Sequence, residues 1–382
     1  MLSFVNDWCK KWRMAINTEK TQIVHFRPTR SPKTDYKFNF GGHPLSIVSH
    51  YKYLGVIFDE HLTFDINAST LAKSSLRALG GIKNKLRNLK ECGYKSFGTL
   101  FSSGVTSISD YSAGIWSMRT FPQIEQVQYQ AARYYLGVHR FAPIEGLLGD
   151  MGWCSAKVRH NVLALKHWNR MCNLDLSRTT RKVFQWDLSY SNKIGAWSYY
   201  VRVLLEKAGC SDIFDAVNPC DIPSTENILK GIDIECWNIN RYKDKLRYYN
   251  MFKYTLEKED YLSFNITRYQ RSLMAQFRLG ILPLEIEVGR YRNIPLTNRI
   301  CQMCTHNVVE DEIHFLCECI SYSEFRSILF SDAEESDPNF SSKDHIDKFV
   351  YLMSNHQKSV VTFLTKAVYK RIHSRYIQNK NS

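Results

Sequence analysis

The spacing of apolar residues predicts a chain that is mostly helical. Apolar side chains recur three and four positions apart over Phe4 to Ile16 and over Leu71 to Leu89, which is the period of one buried helix face. Gly93 is predicted to end the second of these helices. The same period predicts further helices over residues 97–114, 124–136, 144–148, 158–171, 241–258 and 268–279, and over a basic tail at 359–380.

Strands are predicted almost only near the start of the chain. Residues 21–26 alternate between polar and apolar, and 36–40, turned at Gly41-Gly42, lead into 45–48 as a hairpin. The apolar segment Tyr51 to Asp59 is short enough for one buried strand, and 282–288 should be extended. The predicted fold class is mainly α with a small N-terminal α+β piece.

The predicted divisions of the chain follow changes in this pattern. The signal weakens between residues 174 and 240, and the turn-rich segment 218–225 marks a boundary. No internal repeat is visible. The predicted regions are residues 1–64, 65–172, 173–240, 241–357 and 358–382.

The charge balance favours a polyanionic partner. The 382 residues carry a formal net charge of +14, a surplus typical of proteins that bind nucleic acid or an anionic membrane surface. The alternative is a solubility surplus spread over many solvated faces. No run of about 18 apolar residues occurs, so no transmembrane helix is expected and membrane partners are not predicted.

Cysteine usage predicts an intracellular protein, cytoplasmic or nuclear. The eleven cysteines are an odd number, and several lie singly in apolar surroundings, as reduced thiols do. Asp7, Lys10, Lys11 and Arg13 interrupt the apolar start of the chain before a signal-peptide core can form. Secretion is therefore not expected.

Four residues have the spacing of a structural zinc site. Cys301 and Cys304 form a Cys-x2-Cys knuckle, and His314 and Cys319 follow one short loop later. Four protein ligands leave no position for a catalytic water, so such a site stabilises the fold. If residues 310–330 are helical, Cys317 shares a helix face with His314 and competes with Cys319, which reaches the metal only if the helix unwinds.

The order of several motifs resembles non-LTR (LINE-type, jockey-like) retrotransposon reverse transcriptases. Near the start, Trp8-x3-Trp12, Asn17-x2-Lys20-Thr21 and Tyr51-Lys-Tyr-Leu-Gly-Val56 are similar to the last palm motifs of that family. Downstream, Arg278-Leu-Gly280 and the segment from Arg299 to the cysteine cluster are similar to its C-terminal zinc-binding region. The resemblance implies a partial palm at 1–64, a helical thumb-like region at 65–172 and a zinc module within 241–357.

The resemblance also implies roles for particular residues. Lys20 stands where the family has a lysine that protonates departing pyrophosphate, and Tyr53, Leu54 and Gly55 stand in the primer-grip turn. The family pattern places the last zinc ligand at Cys319 rather than Cys317. These positions imply contact with RNA or DNA, whereas protein partners are not indicated.

The catalytic acids of that family are absent from this chain. Polymerases hold two Mg²⁺ ions on paired carboxylates, and no Asp-Asp pair occurs in the sequence. The Mg²⁺ site of the parent polymerase is therefore predicted to be missing, and no enzymatic activity is expected.

Several basic residues remain open to two interpretations. Arg290, Arg292 and Arg299 flank the knuckle and are candidates for phosphate contacts. For Arg290 and Arg299 the alternative is pairing with Glu285, Glu287 or the acids at 310–312. The stripe Lys83, Lys85, Arg87 and Lys90 either contacts a duplex or is a solvated face. The predicted function is residual nucleic-acid binding supported by structural zinc, and the alternative is a zinc-stabilised protein-interaction module.

Overall fold

A computed structural model shows a mainly helical protein with a small sheet region at its N-terminus. It describes residues 1–87, 89, 91–242 and 244–381. Lys90 of the predicted basic stripe and Ser382 of the basic tail lie outside the described residues. Within the part of the chain that the structure describes, every helix is too short or too polar to span a lipid bilayer.

Helix α1 (Leu2–Lys11) and six short strands form the N-terminal region. The strands are β1 (Gln22–Val24), β2 (Asn39–Phe40), β3 (His43–Pro44), β4 (Ser46–Val48), β5 (His50–Tyr53) and β6 (Val56–Asp59). The predicted turn at Gly41-Gly42 is confirmed, since β2 pairs antiparallel with β3 across it. The predicted second strand of that hairpin, 45–48, instead contains β4, which pairs parallel with β1.

The prediction of one buried strand over residues 51–59 was wrong. β5 and β6 form an antiparallel hairpin in which β6 is largely buried and β5 is exposed along its whole length. Leu54 and Gly55 make the two-residue turn with φ values of 45° and 89°, the left-handed conformation that such tight hairpins require. The apolar character of the segment reflects β6 alone.

A first group of helices follows the sheet region. Its members are α2 (Asp65–Arg87), α3 (Tyr94–Phe101), α4 (Ser107–Ser109), α5 (Ala113–Trp116), α6 (Pro122–Leu136), α7 (Ile144–Met151) and α8 (Ala156–Cys172). Gly93 does not end α2 but precedes the first residue of α3. The helix predicted over 97–114 is interrupted, because a π-helix at Ser102–Thr106 and a turn near Ser112 (φ 54°) break its axis.

The remaining helices include four in the segment where the sequence pattern was weak. These four are α9 (Thr179–Leu188), α10 (Trp197–Lys207), α11 (Ser211–Asp215) and α12 (Ile222–Asn240). The later helices are α13 (Tyr249–Phe252), α14 (Arg268–Arg278), α15 (Glu285–Tyr291), α16 (Ser323–Ser336), α17 (His345–Asn355) and α18 (Gln357–Asn381).

Two predictions in the C-terminal half were wrong. The amphipathic helix expected over 241–258 is reduced to one 3-10 turn and the four-residue α13, and the segment expected to be extended at 282–288 contains most of α15. The end of α14 is as predicted. Gly280 has a φ of 63°, and a Cβ there would lie 2.2 Å from the Lys245 carbonyl oxygen, so only glycine fits this close approach.

Two apolar cores hold the helices together. The larger runs from β6 and α2 through α6 and α14 to α18 and includes Trp116, Phe277 and Phe315. The smaller surrounds Trp168 and joins α8 to α9, α10 and α11. Both the cysteine cluster and the helix that ends the chain therefore belong to the larger core.

Asp110, in the turn between α4 and α5, joins this turn to α8 and supports a pH prediction. Its carboxylate accepts hydrogen bonds from Arg159 and lies 3.1 Å from His160 Nε2. Burial alone would raise its pKa, but the His160 hydrogen bond and the Arg159 charge lower the pKa from 3.8 to about 2. A depressed carboxyl pKa contributes stability above the unfolded-state value, on the order of 2 kcal/mol here, and loses it as the pH falls.

We expect Asp110→Asn to be less stable than the parent protein at pH 7, with the difference shrinking between about pH 4 and pH 2. About half of the difference should remain at pH 3. Urea unfolding followed by tryptophan fluorescence measures it for both proteins across that range. A difference that stays constant below pH 4 would contradict the assigned ion pair.

Candidate metal centre

The Cys-x2-Cys knuckle is a tight loop closed by backbone hydrogen bonds. The Cys301 amide donates to the Val308 carbonyl at 2.9 Å, and the Glu310 amide donates to the Arg299 carbonyl at 3.0 Å. The Met303 amide points at Cys301 Sγ, 3.4 Å away. This loop places both sulfurs of the knuckle on one side.

A short π-helix, His314 to Glu318, carries the third ligand and leads directly to the fourth. The His314 amide donates to Asp311 Oδ1 at 2.8 Å, which fixes the start of the helix. The helix ends at Cys319, whose ψ of 117° is extended. The predicted unwinding that lets Cys319 reach the cluster is confirmed, and its cause is this π turn.

The four predicted ligand atoms converge. The Cys301, Cys304 and Cys319 sulfurs and one His314 ring nitrogen all lie within 4.8 Å of one another. Cys301 Sγ is 3.9 Å from Cys319 Sγ, and Cys304 Sγ is 3.5 Å from His314 Nε2. Ligands of a tetrahedral zinc ion are separated by roughly 3.3–3.8 Å, so a small contraction would complete the site. The cluster can hold a metal ion, and its donor set suits zinc.

Cys317 does not belong to this cluster. It is 4% exposed and lies in the larger apolar core, where burial raises the pKa of its thiol to about 12. Its sulfur is not among the ligand atoms that lie within 4.8 Å of one another. Of the two alternatives left by the sequence, the geometry therefore favours Cys319.

Hydrogen bonds within the cluster orient its ligands. His314 Nδ1 lies 3.2 Å from Glu318 Oε2, which leaves Nε2 facing the sulfurs. Burial opposes protonation of this imidazole, yet its contacts with Cys301 and Glu318 raise its pKa to about 9. A hydrogen bond with Cys301 also lowers the pKa of Cys319. Metal binding would displace the protons shared in this way.

The arginines that flank the knuckle are engaged by the protein itself. Arg290 pairs with Glu287 at 2.9 Å, as the second of the two interpretations predicted. Arg299 donates to the Ile294 carbonyl at 2.9 Å and to the Ile286 carbonyl at 2.8 Å rather than to a carboxylate. A phosphate contact would have to compete with these bonds, so the predicted phosphate role of both residues remains a prediction.

The residues predicted to form a primer-grip turn lie at the exposed end of the β5–β6 hairpin. Tyr53 and Leu54 are 61% and 75% exposed. Tyr111 donates to the Leu54 carbonyl at 2.9 Å, and a Cβ on Gly55 would come within 2.8 Å of the Tyr111 ring. Lys20 is exposed, and its carbonyl lies 3.5 Å from the Tyr51 hydroxyl of the same hairpin. A non-glycine residue at positive φ on an exposed tip is a strained feature of the kind found at contact sites.

A basic groove lies between α2, α6 and α14. Of the cations that line it, the sequence analysis had singled out only Lys83. It encloses about 970 Å³ and is lined by Lys83, Gln126, Gln130, Arg133, Tyr134, Gly137, Val138, Arg140, Arg268, Tyr269 and Ser272. Among the described residues that line it, none is acidic. Gln126, Gln130 and Arg133 share one face of α6 at i, i+4 and i+7, a polar stripe that was visible in the sequence. Arg140 and Arg268 join them only through the fold.

This chain was compared with protein families, curated proteins and solved structures. No protein-family model, curated protein or solved structure matches this chain.

Proposed function

We propose that this chain binds nucleic acid with little sequence preference and that a structural zinc ion at Cys301, Cys304, His314 and Cys319 keeps its C-terminal half folded. The basic groove carries the first part of the proposal. Its cations come from three separate parts of the chain and face one cavity without an acidic residue among the described lining. Phosphates bound there would gain charge-assisted contacts from several sides.

The number of cations in the groove favours a polyanionic polymer over a small metabolite. Four cations line the groove, Lys83, Arg133, Arg140 and Arg268, and a chain of phosphates supplies a partner for each of them. Lys83 comes from α2, Arg140 from the turn after α6 and Arg268 from α14, so a bound backbone would contact three segments of the chain. The +14 net charge of the chain would steer a polyanion toward this surface.

Two tyrosines in the groove have different roles. Tyr134 lies between Lys83 Nζ, 5.3 Å from its ring centre, and Arg268 Cζ, 4.5 Å from it. These contacts hold both cations in place and occupy the ring. Tyr269 is exposed and offers a ring on which a base can stack. A base that stacks on Tyr269 needs no hydrogen bond to its edge, so binding of this kind would tolerate many sequences.

The motif order supports descent from the C-terminal part of a non-LTR reverse transcriptase. In that interpretation residues 1–64 are a partial palm, the β5–β6 tip with Tyr53 and Leu54 is a primer-grip turn, and α2 belongs to a thumb that faces the groove. Lys20 and the tip would then add a second contact to the same strand. We propose no polymerase activity for this chain, because its sequence lacks the paired acids that hold Mg²⁺.

Removing three arginines from the groove is expected to weaken binding markedly. In Arg133→Gln/Arg140→Gln/Arg268→Gln, affinity for a labelled oligonucleotide should fall about 10- to 100-fold near 0.1 M salt. The slope of log affinity against log salt should become shallower by up to about 3, since each lost phosphate contact removes about 0.9 from a duplex slope. Fluorescence anisotropy over a salt series measures both quantities.

A matched control removes the same charge elsewhere. Arg30→Gln/Lys95→Gln/Lys182→Gln changes three exposed cations that do not line the groove. This control should keep most of the affinity, because only its contribution to the overall field is lost. Equal affinity in the groove variant and the parent protein would refute the groove as the binding surface.

The exposed aromatic face of α1 favours the second candidate, a protein-interaction module. Phe4, Trp8 and Trp12 follow one another at i, i+4 and i+8 and are 72%, 45% and 62% exposed. Aromatic side chains in such a stripe are typical of protein contacts. A chain that serves only this role would show no salt-sensitive binding to oligonucleotides, and the anisotropy experiment separates the two functions.

A further inference from the structure

A buried ion pair stands directly behind the metal-binding knuckle. Glu310 is fully buried, and its Oε1 atom lies 3.6 Å from Cys301 Sγ. Its Oε2 atom accepts a hydrogen bond from the Glu285 amide at 2.8 Å. A carboxylate is thus fixed against one of the metal ligands in a place that water does not reach.

Arg371 on α18 supplies the opposite charge. Its two terminal nitrogens contact the two oxygens of Glu310, one of them at 2.6 Å, in a fork-to-fork arrangement. Arg371 also lies 3.4 Å from Glu285 Oε1 and is 3% exposed. The helix that carries Arg371 begins at Gln357, well after the last metal ligand, so the knuckle is not self-contained.

The charge of a loaded centre explains why this pair matters. Three thiolates and one neutral imidazole around Zn²⁺ leave a net charge of −1. Glu310 adds a second negative charge next to Cys301, and in a dry interior two like charges at that distance repel strongly. The Arg371 guanidinium offsets that repulsion while it holds the carboxylate in place.

We propose that Arg371 is a positioning residue of the metal centre, so that zinc affinity depends on the Arg371–Glu310 pair and hence on the C-terminal helix. This inference rests on the zinc site of the proposed function. Arg326 serves as a contrast within the structure, since its hydrogen bonds near the metal ligands go to the Leu316 and Cys319 carbonyls rather than to a carboxylate.

Zinc affinity in the full chain, measured by competition with a chromophoric chelator, tests the proposal. Arg371→Met should bind zinc about 10- to 100-fold more weakly than the parent protein, the usual cost of losing a group that supports a ligand. Arg371→Lys should fall between the two, because it keeps the charge and loses the fork. Lys366→Met, which removes an exposed cation from the same helix, should leave the affinity unchanged.

A double variant separates positioning from folding. In Arg371→Met/Glu310→Gln the uncompensated carboxylate is gone, so zinc affinity should return to within about threefold of Glu310→Gln alone. The visible spectrum of the Co²⁺ form should report the same tetrahedral S3N ligand set in each folded variant. If Arg371→Met is too unstable to study, the lysine and double variants still decide the question.

Three results would overturn the inference. Unchanged zinc affinity in Arg371→Met refutes it while leaving the zinc site intact. A double variant that binds zinc at least about tenfold more weakly than Glu310→Gln alone shows that Arg371 acts through packing rather than through charge. A parent chain that binds neither Zn²⁺ nor Co²⁺ refutes both this inference and the zinc site of the proposed function.

Discussion

Cys301→Ser is expected to lose its zinc, whereas Cys317→Ser is expected to keep one zinc ion per chain. Cys301 contributes one of four converging ligand atoms, and Cys317 lies in the apolar core two residues before the last ligand. Loss of a ligand should weaken zinc affinity by at least about 100-fold, since changes to outer groups alone typically cost about 10- to 100-fold. Metal content after purification, measured by mass spectrometry, gives the result directly.

The two neighbouring cysteines make this a sharp comparison. Cys319→Ser should behave like Cys301→Ser, although Cys319 and Cys317 are equally inaccessible to solvent. Removal of zinc with a chelator should loosen residues 299–319 first, because the metal closes that loop, and hydrogen exchange would locate the change. Retention of zinc by Cys319→Ser together with its loss in Cys317→Ser would reverse the ligand assignment.

Arg278→Met is expected to destabilise the protein by about 3–5 kcal/mol, the usual cost of stripping one partner from a buried ion pair. Arg278 Nε donates to both carboxylate oxygens of Asp150 at 3.1 Å, and both side chains are completely buried. A terminal Arg278 nitrogen also lies 2.9 Å from Glu259 Oε2, an ion pair without the angle of a hydrogen bond. The substitution would remove the cation that Asp150 and Glu259 share and leave both carboxylates without it in the core.

The surroundings of Asp150 explain why water cannot replace the arginine. The Tyr249 and Tyr261 hydroxyls donate to the same carboxylate at 2.9 and 2.8 Å, and Lys253 pairs with Glu259 at 2.5 Å. This network joins α7, α13 and α14, and Gln357 at the start of α18 donates to Glu259. Loss of one member therefore leaves several polar groups unsatisfied in the core.

Urea unfolding of the full chain measures the effect of Arg278→Met. The free energy of unfolding of Arg278→Lys should lie between those of Arg278→Met and the parent protein, because a lysine keeps the charge without the planar fork. Arg292→Met, which changes an exposed arginine near the knuckle, should alter the free energy of unfolding by less than about 0.5 kcal/mol. A loss below about 1 kcal/mol in Arg278→Met would show that the core tolerates the unpaired acids.

The Asp150 network and the Glu310–Arg371 pair contact α18 at different positions. Gln357 at its start serves the Asp150 network, and Arg371 further along serves the metal knuckle. The sequence pattern predicted this segment only as a basic helix. The buried contacts of Gln357 and Arg371, rather than the basic residues on its surface, connect this helix to the two networks.

Local spacing determined much of this protein. The helical class, the turn at Gly41-Gly42, the end of α14 and three of the metal ligands, Cys301, Cys304 and His314, follow from neighbours a few positions apart. Such neighbours meet whatever the rest of the chain does, because a helix turn or a knuckle closes within a few residues. Spacing alone left Cys317 and Cys319 as alternatives for the fourth ligand, and the π-helix that brings Cys319 to the cluster decided between them.

Tertiary structure alone decided the features that join distant segments. Asp150 and Arg278 are 128 positions apart, Glu310 and Arg371 are 61 apart, and the cations of the groove come from α2, from α6 and the turn after it, and from α14. The same applies to the break in the 97–114 helix and the loss of the 241–258 helix. Burial and packing against remote side chains override local periodicity at these points, and no pattern within one segment records which remote partner it will meet.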